Sequence, residues 1–402
     1  MINFEKSLWN KVKLGDVVTK KEENDKQNAR NRFDRFLKVE HLDAESLHIK
    51  RWASQEEGDE VPPTFYKIFR KGQILFPTRN PHLRRSALAS FDGICGEKTL
   101  TLEPNIELVV PDFLPFLFHS DSFYAHTISS IVGSTNPHVR WRDVAGFEFL
   151  LPPKKEQERI LELFWSSDKE VQNKKVTKKE LNKLLVSLIE KKIHGVKLGG
   201  KTINQVINEL GSSVQMKTLG ELGTIFKGKG IQKSEVNHEG LPCIRYGELY
   251  TKHHRVIREF HSFISEDSAR KSMKIEHGDV LFASSGETIS EIGKSAVFIS
   301  DVEAYAGSDI IIFRPDSMDP AFSGYLMNSQ LVRRQLNKFG TGATVMHVYG
   351  SDIKKIKVPV LSRNKQTSVG KELESVFKNI SLTDNQIKTS QALHSKIINK
   401  VF

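Results

Sequence analysis

Three features carry residue types that could do chemistry. "GKGIQKS", Gly228–Ser234, has the glycines and lysines of a phosphate-cradling loop. Such a loop needs two glycines separated by four residues, then Lys and Ser or Thr opening a helix, so that backbone N–H groups converge on the anion. Here the spacing is wrong and no apolar helix follows. "KHHR", Lys252–Arg255, offers imidazoles to a metal, but no Cys or further His stands at ligand spacing. The two cysteines, Cys95 and Cys243, have no metal-ligand spacing and cannot build a disulfide framework, which fits a reducing compartment. No HExxH, GxGxxG or paired-carboxylate pattern can be picked out. A Ser/His/acid triad is not readable from spacing either, since triads assemble from distant positions. No catalytic residue, metal site or cofactor is therefore assigned.

"STNPHV", Ser134–Val139, begins like the Asn-Pro-Pro-aromatic loop of adenine methyltransferases, but its third residue is His138 and no cofactor-binding glycine motif accompanies it. It belongs instead to a longer phrase that occurs twice. "GSTNPHVRWRDVAGFEFLLPPKKEQ", Gly133–Gln157, aligns without a gap on "GATVMHVYGSDIKKIKVPVLSRNKQ", Gly342–Gln366. Gly133/Gly342, Thr135/Thr344, His138/His347, Val139/Val348, Asp143/Asp352 and Gln157/Gln366 fall in register. Further matches keep the same order: "VKLGDVV" with "KTLGELG", "FLKVEHL" with "CIRYGEL", "KIFRKGQILF" with "MKIEHGDVLF" and "FLPFLFHS" with "FSGYLMNS". Each match is weak alone. Together, at an offset drifting between 205 and 211, they mark a tandem duplication of a unit of about 200 residues.

Each unit must position its loops on two kinds of element. The first part reads as mixed β with short helices. Runs such as "GQILFPT", "KTLTLEP", "IELVV", "GDVLFAS", "KSAVFIS" and "DIIIFRP" are short, rich in Val, Ile and Phe, and bounded by turn residues. The second part is a long polar stretch with spaced apolar residues. Ile160, Phe164, Val171, Leu181, Leu185 and Leu188 recur at helical spacing. So do Val369, Leu373, Val376, Phe377, Ile380, Ile387, Ile397 and Val401. Pro152 and Pro153 precede the first stretch, and Gly370 is the one glycine inside the second. At ~1.5 Å per residue, roughly 35 residues make a rod about 50 Å long. Two such helices can bury their stripes against each other, although packing against each helix's own domain is the simpler alternative. Polar residues on the seam, Ser167, Lys174, Lys178, Thr383 and Ser390, would weaken pairing but fix register.

The chain has 402 residues, which suggests two to four domains. Its net charge is +11, with a pI near 9.3, and such a basic excess favours a polyanionic partner, nucleic acid above all. A Lys-rich solvated surface is the plain alternative. The first residues lack a signal-peptide core, and no apolar run approaches the ~18 residues of a membrane span. The expected location is the cytoplasm, with no membrane partner.

Two variable domains alternate with two long helices. Each domain closes in Gly-x-Thr-x-x-His, an Asp-Val/Ile step, a short apolar strand with Pro, and Gln leading the helix. With "CIRYGELYT" and "IEHGDVLFASSGETISEIGKSAVF", the chain resembles the specificity (S) subunits of type I restriction–modification systems over nearly its whole length. It departs from the usual pattern at Gln73, where Asp is expected, and at Lys365, where Glu precedes Gln. The resemblance implies an α+β fold in which two β-rich target recognition domains alternate with two long α-helices. The helices pair as an antiparallel coiled coil and the halves form a pseudo-two-fold tandem repeat. The corresponding boundaries are 1–153 and 216–363 for recognition, 154–198 and 364–402 for the helices, and 199–215 for a linker. It further implies binding to double-stranded DNA at a split site, two adenine-methyltransferase (modification) subunits and endonuclease–translocase (restriction) subunits as partners, and no catalysis by the chain itself.

With DNA as the implied partner, loops joining the strands are where readers belong, because Arg pairs with guanine and Asn with adenine in the major groove. In the first domain these are Thr78, Arg79, Asn80, His82, Arg84 and Arg85. In the second they are Ser284, Ser285, Glu287, Thr288 and Lys294. The Gly-rich loop adds Lys227, Lys229, Gln232 and Lys233; beside it fall Arg245 and Tyr246, with Lys38 as the first-domain counterpart. The closing phrase adds Thr135, His138, Arg140, Thr344 and His347, although a histidine there also reads as a satisfied structural residue. Because the loops differ, the half-sites should differ. Three rivals stand beside this reading: the same scaffold in a modification-only assembly, a coiled-coil adaptor that does not bind DNA, and an enzyme with an unrecognised site.

Overall fold

The computed structural model describes residues 4–195, 198–286, 292–339 and 346–402. The chain divides into two units, one of residues 1–176 and 385–402, the other of residues 177–384. Among the described residues, no helix is long and apolar enough to cross a membrane.

The first unit begins with a two-stranded ribbon in which Asn10–Lys13 runs antiparallel to Glu148–Leu151. A four-stranded sheet follows, built on Thr99–Pro104 between Val18–Lys20 and Ile74–Pro77, with Ala87–Leu88 at one edge. A five-stranded sheet holds one parallel pair, Arg35–Leu37 beside Gly93–Gly96. The second unit repeats this plan. Met216–Thr218 pairs with Lys357–Pro359, Ile310–Pro315 lies between Gly223–Lys227 and Val280–Ala283, and Leu241–Ile244 runs parallel to Ala304–Ala306. The duplication seen in sequence is a duplication of strand pairings.

Side-chain substitutions between the halves are absorbed by equivalent bonds. Asp279 Oδ2 accepts the Glu276 N–H at 2.8 Å and closes the turn before its strand. In the first unit Gln73 Oε1 accepts the Arg70 N–H at 2.9 Å and does the same. Asp279 pairs with Arg314, and at the matching places Gln73 donates to Glu103. The Gln at position 73 therefore keeps the turn and changes only the charge. Lys365 has a similar local cause: its counterpart Glu156 accepts the Trp9 indole N–H at 2.8 Å, and the second unit offers no such tryptophan.

The central helix, Lys154–Ile189, ends in a widened turn, Glu190–His194, stopped by Gly195 at φ +74°. The C-terminal helix is Arg363–Val401. Their apolar stripes do two things at once. In the first unit, Ile160 and Phe164 join Ile397, Ile398 and Val401, and the same cluster takes in the domain's Phe76, Phe113, Phe116 and Phe123. Phe116 and Phe164 lie 4.6 Å apart by ring centroid, and such a pair contributes about 0.5–1.5 kcal/mol beyond its burial. In the second unit, Leu185 and Ile189 meet Val369, Leu373 and Ile380, and the cluster takes in Phe282, Phe313 and Phe322. The stretches of helix that meet run in opposite chain directions in both units, so the pair is antiparallel. The polar seam residues bond across it: Ser167 Oγ lies 2.7 Å from His394 Nδ1, Lys174 Nζ donates to Ser390 Oγ at 2.9 Å, and Lys178 pairs with Asp384. Gly370 also has a cause, since a Cβ there would stand 3.0 Å from both Asp319 Oδ1 and the Phe322 nitrogen.

Two local readings change. "IELVV" is a turn rather than a strand. Its backbone is engaged by the central helix: Lys154 Nζ donates to the Ile106 carbonyl, Gln157 Nε2 to that of Leu108, and Gln157 Oε1 accepts from Val110 N–H. Ile106 and Leu108 consequently stay exposed while Val109 is buried. Within 199–215 a helix forms, Ile203–Gly211, begun by a Thr202/Gln205 capping box and buried through Val206 and Leu210 against Leu331.

His119 gives the first unit an acid sensitivity. It is buried with Nε2 2.8 Å from Ser86 Oγ, and burial pushes its pKa down to about 3. An unfolded histidine titrates near 6.5. Between these values the unfolded chain binds the additional proton, so the contribution is complete above about pH 6.5 and is lost as pH falls toward 3. Melting temperatures followed from pH 7 to 5 should fall more steeply for the wild type than for His119→Gln. Equal slopes would remove His119 as the source.

Candidate nucleic-acid interface

In the second domain the strand Val280–Ala283 runs out into Ser284. The Ser284 N–H and Oγ both donate to the carbonyl of Asp309, at 3.1 and 2.9 Å. Its own carbonyl accepts the Val348 N–H at 2.9 Å. The next step is a two-residue antiparallel ladder, Ser285 opposite His347 and Gly286 opposite Met346. The diverged loop and the repeated phrase are thus stitched together. Tyr250 donates its hydroxyl to the Ser285 carbonyl at 2.7 Å and braces the joint from behind.

The first domain makes the same joint with other side chains. Thr78 N–H and Oγ1 donate to the Lys98 carbonyl at 2.8 and 2.9 Å, and the Thr78 carbonyl accepts the Val139 N–H at 3.0 Å. Arg79 bridges His138, and Asn80 N–H donates to the Pro137 carbonyl at 3.0 Å. Asn80 sits at φ +51°, a left-handed turn that Asn tolerates better than most residues. Arg79, Asn80, His82, Thr135 and Arg140 are exposed and His138 is half-buried, donating from Nδ1 to the Asn136 carbonyl.

In the second domain Lys227, Tyr246, Ser284, Ser285 and His347 line one open cavity of about 610 Å³. Five residues singled out from sequence therefore share one surface. Tyr349, Lys354 and Asp309 are among its other lining residues and were not foreseen. Tyr349 was within reach of sequence reading, because it aligns with Arg140 in the repeated phrase and is 59% exposed. Lys229, Gln232 and Lys233 are exposed on the neighbouring Gly-rich loop. That loop is fixed to the turn at 307–310 by Gly228 N–H to the Ile310 carbonyl at 2.7 Å, and a Cβ at 228 would stand 2.0 Å from the Gly307 oxygen.

Other candidates are held by the fold. Arg84 pairs with Glu45 and Asp121 at 2.8 and 2.7 Å, donates to the His119 carbonyl at 3.1 Å, and lies 4.8 Å over the Tyr124 ring. Arg85 donates to the Val39 carbonyl, and Lys294 to that of Tyr250 at 2.8 Å. Arg245 donates to Ser262 Oγ at 3.1 Å, and Lys38 is half-buried with its ammonium 6.0 Å from the Phe36 ring centre. Both of these residues start short helical turns at matching places, where the Arg245 N–H donates to Glu248 Oε2 and the Lys38 N–H to His41 Nδ1, each at 3.2 Å. Thr288 and Thr344, with Glu287, lie outside the described residues.

A family model described as the type I restriction modification DNA specificity domain matches residues 6–183 and again 211–390. Among curated relatives, the type I restriction enzyme MjaVIII specificity subunit of Methanocaldococcus jannaschii is 22% identical over 293 residues, covering 71% of this chain and 68% of that one. The MjaIX specificity subunit of the same organism is 24% identical over 256 residues, covering 61% and 58%. The solved type I restriction-modification S subunit from M. genitalium superposes with a TM-score of 0.59 at 15% identity over 100% of this chain and 98% of that one. A chain from a study of complex assembly and conformational transition of the type I R-M system gives 0.59 at 20% identity over 98% and 97%. These solved chains share the fold. With both repeats matched, the chain belongs to the type I restriction–modification DNA specificity family, as a specificity subunit.

Proposed function

We propose that this chain is the DNA-reading subunit of a type I restriction–modification complex. Residues 1–153 and 216–363 each read one half of an asymmetric, split site. The helices at 154–198 and 364–402, with the linker 199–215, hold the two readers on one scaffold. The chain docks two adenine-methyltransferase subunits, is joined by endonuclease–translocase subunits, works in the cytoplasm and contributes no catalytic group. One observation supports this most. The same backbone joint is built twice, and the side chains it presents differ: Arg79 beside His138 in one domain, Ser285 beside His347 in the other. A constant frame with divergent presentation suits two readers of different sequence. Base edges would supply specificity, and the exposed lysines would supply salt-dependent phosphate contacts.

Methylation mapping of DNA from cells carrying this chain and its methyltransferase tests the proposal. Two unlike half-sites separated by an unspecified gap are expected. A continuous palindrome would refute the assignment of one half per domain.

A further inference from the structure

Asp309 and Lys98 occupy the same place in the two repeats. Each immediately precedes an inner strand of its sheet, second from the edge, Ile310–Pro315 or Thr99–Pro104. Each offers its backbone carbonyl to the N–H and the hydroxyl of the residue that opens the reading loop, Ser284 or Thr78. The two backbones are held alike, yet the side chains carry opposite charge.

Asp309 is exposed and lines the cavity that Lys227, Tyr246, Ser285, His347 and Lys354 also line. Among the described residues it has no ion-pair or hydrogen-bond partner. This separates it from another charge reversal between the repeats, Glu103 against Arg314, where each side chain bonds to an equally altered partner, Gln73 or Asp279. At 98 and 309 no charge-reversed partner compensates: Glu97, beside Lys98, is matched by the uncharged Ser308. Among the described residues, the Lys98 ammonium pairs with its exposed neighbour Glu97, at 3.1 Å, and with no other carboxylate.

A bare carboxylate on a surface that meets DNA is repelled by every phosphate. What it can accept from is an amino group on a base edge: cytosine N4 or adenine N6 in the major groove. A lysine at the same place donates instead, best to guanine O6 and N7. Resting on the DNA-reading function proposed above, we infer that Asp309 and Lys98 are paired specificity-determining residues. Asp309 selects a base with an exocyclic amine in the second domain's half-site, and Lys98 selects guanine in the first domain's half-site.

The complete complex, assembled from this chain and its methyltransferase subunits, is offered duplexes randomised across the mapped site, and the methylated fraction is sequenced. Asp309→Lys should move the preference at one position of one half-site toward guanine by about ten-fold or more, leaving the other half-site as it was. Asp309→Asn, which keeps an acceptor and adds a donor, should relax the same position. Lys98→Glu should change the other half-site, away from guanine. If Asp309→Lys fails to assemble, Asp309→Asn decides. Unchanged base preference in an Asp309 variant that still methylates would overturn the inference and leave Asp309 a solvated turn residue, with DNA reading intact. Loss of split-site selectivity in the wild-type complex would instead overturn the reading on which it rests.

Discussion

With Arg79 replaced by alanine, the assembled complex should lose about 1–3 kcal/mol of discrimination at one base pair of the first half-site, roughly five- to 150-fold. Its affinity for random duplex should fall only slightly, by the share of one cation. Arg79 is exposed, sits on the joint opposite His138 and, among the described residues, has no internal partner for its guanidinium. Arg84, five residues on, should behave in the opposite way. Its side chain is 24% exposed and engages two carboxylates, a carbonyl and the Tyr124 ring. Arg84→Ala takes a cation from Glu45 and Asp121, both well exposed, and leaves the His119 carbonyl and the Tyr124 ring without their partner, so a stability loss of about 1–3 kcal/mol is expected, with base preference unchanged in the protein that remains folded. Denaturant melts and methylation of mismatched duplexes separate the two effects. A shift of base preference in Arg84→Ala, together with none in Arg79→Ala, would reverse the roles and sink this division of the loop.

The duplication, the sheets and the long helices were legible because they rest on periodicity and order, which survive divergence. Ile74–Pro77, Val280–Ala283 and Ile310–Pro315 are strands where short apolar runs predicted them. "IELVV" misled for the reason those succeeded: its composition suits a strand, but its carbonyls and N–H are taken by Lys154 and Gln157 from a distant element. The site was legible in part. That loop and phrase belong to one surface is a tertiary fact, although the in-register His138 and His347 hinted that the phrase did more than close a domain. Which arginines of "PTRNPHLRRS" face outward depended on Glu45 and Asp121, whose distance in sequence hides the pairing. Asp309 was overlooked because a search for DNA readers looks for positive charge. Its equivalence to Lys98 lies in the bonds that both carbonyls accept from Ser284 and Thr78, which the sequence does not display.

The largest stability losses should come from the last residue of the repeated phrase. Gln157 is fully buried: its Oε1 accepts the Val110 N–H at 2.8 Å, and its Nε2 donates to the carbonyls of Pro152 at 2.8 Å and Leu108 at 3.2 Å. Gln366 repeats this with Asp319 N–H at 2.9 Å and the Leu361 carbonyl at 2.8 Å. In each unit one amide ties the chain entering the long helix to a loop about 47 residues earlier. Alanine would remove the amide and strand its partners in a dry place, where each unsatisfied backbone group costs about 1–3 kcal/mol. Losses of about 3–5 kcal/mol for Gln157→Ala and about 2–4 kcal/mol for Gln366→Ala follow, since Gln157 serves three groups and Gln366 two. Glutamate tests the hydrogen bonds more sharply than alanine does. It fills the same volume and still accepts from Val110 N–H, but its second oxygen points at two carbonyls that need a donor. Gln157→Glu should therefore be at least as damaging as alanine at neutral pH and regain stability in mild acid, where a protonated carboxyl can donate again. A glutamate variant as stable as the wild type at pH 7 would show that the side chain only fills space. If the losses appear, the register of Gln157 and Gln366 has a physical cause: glutamine alone among the side chains supplies an acceptor and two N–H donors at that reach, so the joint between reader and helix holds its residue while the loops around it diverge.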